Sequence, residues 1–163
     1  QLENAAAALD TLWALGLPEE ARRRGLKSAR WPGRLELVRR GPDVLLDGGH
    51  NPQCMQAVVQ ALDELYPGKK VLFLLGVMAD KDFISMLQIL LPYAKQVVCT
   101  APDSPRALPP EELSACVQRL GGTAQACPTV REAVETVLAL AGPEDVGCMC
   151  GSVYLIGELK ELL

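Results

Sequence analysis

The sequence lacks several features that would assign it to a common functional class. Its net charge is −4, which gives no support to nucleic-acid binding. Its longest apolar run, residues 71–79, is far too short to span a bilayer. Neither the phosphate-binding pattern Gly-x-x-x-x-Gly-Lys-Ser/Thr nor the dinucleotide pattern Gly-x-Gly-x-x-Gly occurs. Nothing at the N-terminus resembles a signal peptide, so we expect a cytoplasmic protein with no nucleic-acid or membrane partner.

Potential metal ligands are also poorly arranged. The chain has one histidine, His50, and six cysteines, none of which forms a Cys-x-x-Cys pair. The closest two, Cys148 and Cys150, lie in an apolar, strand-like run. We therefore expect no metal site in this chain, and free, mostly buried thiols in a reducing cytosol.

What the sequence does contain is a regular alternation of apolar strands and amphipathic helices. Hydrophobic residues make up 49% of the 163 positions, enough for a substantial core. The alternation predicts an α/β fold in which helices cover both faces of a mostly parallel, six-stranded sheet. The predicted strands are residues 35–38, 44–46, 71–75, 97–100, 123–127 and 146–150, and the first is antiparallel to the rest because a short turn joins it to the second.

The predicted helices fall into two groups. Two helices open the chain, one stopped by Gly16 and one that starts at Pro18 and ends near Gly25. The run of three arginines at 22–24 is expected to complement the C-terminal end of the second helix. The remaining helices are residues 52–65, 82–91, 109–120, 129–140 and one that closes the chain.

The chain is organised around residues 44–52, where an apolar strand ends in Asp47 and two glycines follow. Asn51 is placed to cap the next helix, with Pro52 at its first position. Asp47 and His50 then lie at the carboxyl end of a strand, where open α/β sheets bind their ligands. Taken alone, these residues are also consistent with an ordinary strand-to-helix turn without function.

Four short motifs resemble those of one enzyme family. The stretch from Asp47 to Pro52 resembles the Asp-Gly-Ala-His-Asn-Pro signature of folylpolyglutamate and dihydrofolate synthases, members of the Mur ligase superfamily, with Gly49 in place of the alanine. Residues 31–36 (Trp-Pro-Gly-Arg-Leu-Glu), 79–82 (Ala-Asp-Lys-Asp) and 150–154 (Cys-Gly-Ser-Val-Tyr) resemble three more. Because the family enzymes are much longer, the resemblance implies that residues 1–30 end an N-terminal ATPase domain and linker, and residues 31–163 form the C-terminal, glutamate-ligase domain.

The resemblance implies an activity that this chain cannot perform alone. Family enzymes use ATP to activate a carboxylate as an acyl phosphate, which the amino group of L-glutamate attacks, with ADP and phosphate released. ATP and magnesium are thus the implied cofactors, and folate or dihydropteroate the implied acceptor. The phosphate loop and the magnesium ligands must lie in the ATP-binding domain that is this chain's implied partner.

Three residues match family positions that contact ATP. Asn4, which with Gln1 matches a Gln-x-x-Asn element, would contact the adenine. Arg34 would contact the phosphates as a fixed cation, and Asp47 would accept hydrogen bonds from the ribose hydroxyls. Without the motifs, Asn4 is simply a polar residue on an amphipathic helix, and Arg34 a surface arginine at the start of a strand.

The implied catalytic residues are Asp47, His50 and Ser152. His50 would orient a phosphate or a reactant, although a histidine here is also consistent with a structural bond to the turn backbone. Ser152 matches the serine of a family Gly-Ser motif, and the N-cap of the last helix is an equally good interpretation.

Two cations are implied in glutamate binding. Arg106 follows Asp-Ser-Pro in a loop that resembles the Asp-Asn-Pro-Arg element with which some Mur ligases hold a substrate carboxylate. Lys81 follows a buried strand on the same expected edge of the sheet. Each is also consistent with a solvated loop cation. For the whole chain, the alternatives are a peptidoglycan-precursor ligase domain of the same superfamily or a non-catalytic nucleotide-binding module.

Overall fold

The computed structural model describes residues 2–163, which form two compact units, one ending at Pro32 and the other Gly33–Leu163. The first unit consists of helices α1 (Leu2–Ala14) and α2 (Glu19–Ser28). Gly16 adopts a φ of +75°, which ends α1 as predicted.

Helix α2 departs from its prediction at the C-terminal end. It continues one turn beyond Gly25 to Ser28, and the amide of Ala29 still bonds to the carbonyl of Gly25. The arginines at 22–24 therefore lie in the middle of the helix, and the basic residue of the last turn is Lys27. A glycine inside a helix costs only about 1 kcal/mol relative to alanine, so it weakens a helix without ending it.

The second unit is the six-stranded sheet that the sequence predicts. The strands run in the order β1-β2-β6-β3-β4-β5, with β1 antiparallel to β2 and every other neighbouring pair parallel. Their bounds are β1 Glu36–Arg39, β2 Asp43–Asp47, β3 Val71–Leu75, β4 Ala94–Cys99, β5 Ala124–Ala126 and β6 Val146–Cys150. The predicted fold class is confirmed.

Helices cover both faces of this sheet because the central strands are apolar at every position. All five residues of β3 are buried, with Phe73 in the core on one face and Leu72 and Leu74 in the core on the other. The first face is covered by α3 (Pro52–Leu65), α4 (Phe83–Leu90) and α5 (Pro110–Arg119), and the second by α6 (Val130–Leu140) and α7 (Val153–Leu162). None of the helices formed by residues 2–163 combines the length and apolar character that crossing a bilayer requires.

The connections out of neighbouring strands leave the carboxyl edge of the sheet toward opposite faces. Strand β6 leads into α7 on the second face, whereas its neighbours β2 and β3 lead into α3 and α4 on the first face. The loops are tied together where they meet: the amide of Gly151 donates to the carbonyl of Gly49, and that of Gly76 to the carbonyl of Cys150. Such a change of side is where open α/β sheets bind ligands.

Candidate functional site

Asp47 lies at the end of β2 and is almost completely buried, with 5% of its surface exposed. Its Oδ1 accepts a hydrogen bond from the amide of Gly49 at 2.7 Å, and its Oδ2 accepts one from the amide of Leu35 at 2.9 Å. Burial raises the pKa of this carboxyl, although the two amides and the nearby Arg34 act in the opposite direction. Asp47 therefore links the loop after β2 to the segment that precedes β1.

Arg34 is presented on that preceding segment. The carbonyl of Gly33 accepts the amide of Gly48 at 2.8 Å and Nη1 of Arg34 at 3.1 Å. The guanidinium lies directly over Gly48, since a Cβ added there would be 2.7 Å from Nη1. Arg34 is nevertheless exposed, so this cation can reach an anion at the sheet edge.

His50 follows the two glycines and is partly buried. Its Nδ1 is 3.0 Å from the carbonyl oxygen of Gly48. Because a carbonyl only accepts hydrogen bonds, we assign the proton of neutral His50 to Nδ1, which leaves the lone pair on Nε2. The predicted structural bond to the turn backbone is present, and it orients the ring. Asn51 then caps α3 by accepting the amide of Cys54 at 2.8 Å, as predicted.

Ser152 precedes α7, which covers the opposite face of the sheet from α3. Its hydroxyl accepts the amide of Tyr154 at 3.1 Å, so it is the N-cap of α7, and it is only 2% exposed. Gly151 before it has a φ of +110°, and a Cβ there would be 2.7 Å from the carbonyl oxygen of Gly76. This turn therefore requires glycine and seats Ser152 firmly between the loops.

Arg106 is held by an aspartate from the neighbouring loop. Its Nη2 is 2.6 Å from Oδ2 of Asp80, and the two side chains are 54% and 52% exposed. The two loops are also joined along the backbone, where Ala79 donates to Arg106 and Leu108 donates to Val77. The Arg106 guanidinium lowers the pKa of Asp80. Asp80, which belongs to the Ala-Asp-Lys-Asp motif but was not predicted as a site residue, is therefore the partner of Arg106.

Lys81 and Asn4 are the remaining predicted site residues. Lys81 is half-buried next to Asp80 in the loop after β3 and contributes to lowering the pKa of that carboxyl. The hydrogen bond and charge of Asp80 raise the pKa of Arg106, and Tyr154 of α7 adds a minor contribution in the same direction. Asn4 is an exposed residue of α1 in the first unit, and Gln1 lies outside the described residues.

The sequence did not predict the contacts that hold Gly33, the residue before Arg34. The amide of Gly33 donates to Oε2 of Glu36 at 2.7 Å, and Nζ of Lys160 in α7 is 2.8 Å from the same oxygen. Leu35 adopts a φ of +45°. Glu36 is the last residue of the Trp-Pro-Gly-Arg-Leu-Glu motif, and that position was the one available signal.

Potential metal ligands do not cluster within residues 2–163, and most of the thiols are buried. Across residues 2–163, no three histidine, cysteine, aspartate or glutamate side chains cluster as a metal site would need. All six cysteines are free, and burial raises the pKa of Cys99 to about 12. The edge offers the cations Arg34, Lys81 and Arg106 and one imidazole, a composition that suits an anionic ligand.

Comparison with known proteins gives the family. Residues 33–153 match the family described as Mur ligase, glutamate ligase domain. The chain belongs to this family.

Relatives and solved structures agree with that assignment. The dihydrofolate synthase/folylpolyglutamate synthase of Escherichia coli K12 is 32% identical over 98% of this chain and 37% of its own length. The structure of E. coli FolC in complex with DHPP and ADP superposes with a TM-score of 0.90 at 30% identity, over 98% of this chain and 38% of that one.

A third comparison concerns a ligand-bound state. A bifunctional folylpolyglutamate synthase/dihydrofolate synthase with Mn, AMPPNP and L-glutamate bound superposes with a TM-score of 0.89 at 30% identity, over 98% of this chain and 39% of that one. The chain spans between 17% and 37% of the length of the curated relatives it matches.

Proposed function

We propose that this chain supplies the C-terminal, glutamate-ligase domain of an ATP-dependent ligase that adds L-glutamate to a folate or dihydropteroate carboxylate through an acyl phosphate. The observation that carries the proposal is the placement of Arg34, His50 and Arg106 on loops of one sheet edge, in a domain of the glutamate-ligase family. The E. coli relative bears the name of this activity.

The nucleotide side of the site rests on Arg34. An exposed guanidinium held over Gly48 is a fixed cation, which suits the phosphates of ATP better than a mobile lysine does. The contact of Asp47 with the ribose hydroxyls stays a prediction. Both oxygens of Asp47 already accept backbone amides, so a ribose hydroxyl would have to share an oxygen with one of them. The contact of Asn4 with the adenine stays a prediction, and we assign residues 1–30 to the end of the ATP-binding domain and its linker.

His50 is proposed to act on a reactant near the phosphate. With its Nδ1 proton bonded to the carbonyl of Gly48, neutral His50 presents a lone pair on Nε2, which accepts a hydrogen bond from an N–H or O–H group. Contact with a phosphate oxygen requires the doubly protonated ring. Ser152 is buried between the loops as the N-cap of α7. We propose that it fixes the start of α7 next to the turn that carries His50.

The glutamate side rests on Arg106 and Lys81. The contact between Arg106 and Asp80 uses Nη2 alone, so the guanidinium keeps further N–H groups with which to bind a carboxylate. Lys81 adds a second cation in the neighbouring loop. Magnesium, when bound, would neutralise phosphate charge, and we assign its ligands to the ATP-binding domain. The free thiols agree with a cytoplasmic location.

Phosphate release tests this division of labour. The isolated chain, given ATP, magnesium, glutamate and dihydropteroate, should release no phosphate, whereas the complete two-domain enzyme should release phosphate only when both glutamate and a pterin acid are present. Robust turnover by the isolated chain would contradict the proposal. Product analysis by mass spectrometry supplies the second criterion, since a complete enzyme that adds glutamate to neither folate nor dihydropteroate would also refute it.

A further inference from the structure

We infer that Leu35 is a positioning residue, held in a strained backbone conformation by Asp47 so that Arg34 points along the sheet edge. This inference rests on the proposed role of Arg34 toward ATP. It assigns to Asp47 a mechanical role, distinct from direct contact with the nucleotide.

The strain is located at Leu35. Its φ of +45° lies in the left-handed region, and it is the only residue other than glycine with a positive φ among residues 2–163. A Cβ makes this conformation unfavourable, so it persists only where the surroundings enforce it. Leu35 packs against the core of the first face, and its amide donates to Oδ2 of Asp47 at 2.9 Å. The bond to a buried carboxylate is the contact that enforces it.

The residue on the other side of Arg34 is fixed in the same way. Gly33 has a φ of +69°, and its amide donates to Oε2 of Glu36, which Lys160 holds at 2.8 Å. Arg34 thus lies between two left-handed residues, each with its amide bound by a carboxylate. Two such fixed points determine the direction in which the Arg34 side chain leaves the backbone.

Removing the hydrogen bond between Leu35 and Asp47 should allow the Arg34 side chain to change direction. Without an acceptor for its amide, Leu35 gains by returning to a negative φ, and that rotation turns Arg34 away from Gly48. Glycine at position 35 would remove the penalty of the positive φ and so reduce the need for the contact. Direct contact between Asp47 and the nucleotide predicts no such compensation.

The first measurement is hydrogen–deuterium exchange in the complete enzyme. Asp47→Ala, which removes both acceptor oxygens, should accelerate exchange at the amide of Leu35 at least about tenfold. Asp43→Ala is the matched control, because Asp43 lies at the other end of β2 and accepts the hydroxyl of Tyr66. This control should leave exchange at Leu35 unchanged. Exchange in β3 reports global unfolding in both variants. Unchanged exchange at Leu35 in folded Asp47→Ala overturns the inference.

The second measurement is the KM for ATP. Asp47→Ala should raise it about tenfold, and adding Leu35→Gly should return it to within about threefold of the wild type. Absence of this rescue, with Leu35→Gly alone nearly neutral, shows that Asp47 acts by another route and overturns the inference. Arg34→Ala tests the proposed function of Arg34 separately from the inference about Leu35. If this variant leaves the KM for ATP unchanged, the proposed function of Arg34 fails, whatever the exchange data show.

Discussion

Replacing Gly48 with alanine tests whether the position of the Arg34 guanidinium matters for ATP. The added Cβ would be 2.7 Å from Nη1 of Arg34, while its other neighbours, in Val153 and Gly33, lie at 3.4 and 3.5 Å, which is ordinary contact. The backbone of Gly48 does not have a positive φ, so alanine is sterically permitted there. The substitution should therefore displace one flexible side chain and leave the fold intact.

The size of the effect follows from the distance. The guanidinium must retreat by roughly 0.7 Å to regain normal contact, and a misplacement of about 1 Å can reduce an enzyme's rate up to about 10²-fold. We expect kcat/KM for ATP in the complete enzyme to fall about tenfold, equivalent to about 1.4 kcal/mol of transition-state stabilisation. The midpoint of thermal unfolding should move by less than about 3 °C, since no buried group is lost.

A double-mutant cycle decides whether the effect passes through Arg34. In the Arg34→Ala background, Gly48→Ala should have no further effect, because the atom it displaces is gone. Gly142→Ala is the matched control, because its Cβ would meet only Asp145, at 3.6 Å, in a turn before β6. Unchanged ATP kinetics in folded Gly48→Ala, or full additivity with Arg34→Ala, would refute the reasoning.

Three further predictions use other parts of the structure. Arg106→Lys should raise the KM for glutamate about tenfold and leave that for ATP nearly unchanged, because lysine keeps the charge and loses the fork; a parallel change in both constants would remove Arg106 from the glutamate site. Gly157→Ala should stabilise the chain against urea by about 0.5–1 kcal/mol, since Gly157 is an exposed helical position with open space around its Cα; destabilisation would contradict this. The hydrogen bonds from Lys160 and the Gly33 amide lower the pKa of Glu36 in the folded state. The stability that ionised Glu36 contributes is therefore present above the ordinary glutamate pKa and is lost as pH falls through the pKa of the folded state. Glu36→Gln should flatten that part of the acid-unfolding curve, and an unchanged curve would exclude Glu36 as a contributor.

The sequence predicts the sheet well because its signals are local. Strands β3 and β6 occupy the predicted residues, and Asn51 caps α3 as predicted. Thr129, the first residue of the predicted helix 129–140, is the N-cap of α6 and accepts the amide of Glu132 at 3.2 Å. These features depend on apolar runs and on residues three or four positions apart, which a reader of the sequence sees directly.

The parts that escaped prediction depend on contacts between distant residues. Lys160 and Glu36 are 124 positions apart, and Arg106 and Asp80 are 26 apart, so no local pattern pairs them. The positive φ of Leu35 is equally invisible, because nothing in a leucine indicates a conformation that leucine disfavours. The strand-to-helix pattern already pointed to Asp47, and resemblance alone pointed to Arg34, but what holds Arg34 in place is visible only in the structure.

Two energetically unfavourable features of the structure lie next to each other at the sheet edge. A left-handed leucine and a buried carboxylate with a raised pKa each reduce the stability of the folded state, and Asp47 and Leu35 are directly bonded. Because burial raises the pKa of Asp47, the folded state binds this proton more tightly than the unfolded chain does, so the contribution of Asp47 to stability falls as pH rises through the usual aspartate range. Selection for stability alone would remove both features, and strands β3 and β6 contain neither of them. Their concentration beside the exposed Arg34 is what selection for a fixed cation at the sheet edge would produce, since strain and buried charge persist where function needs the geometry they impose.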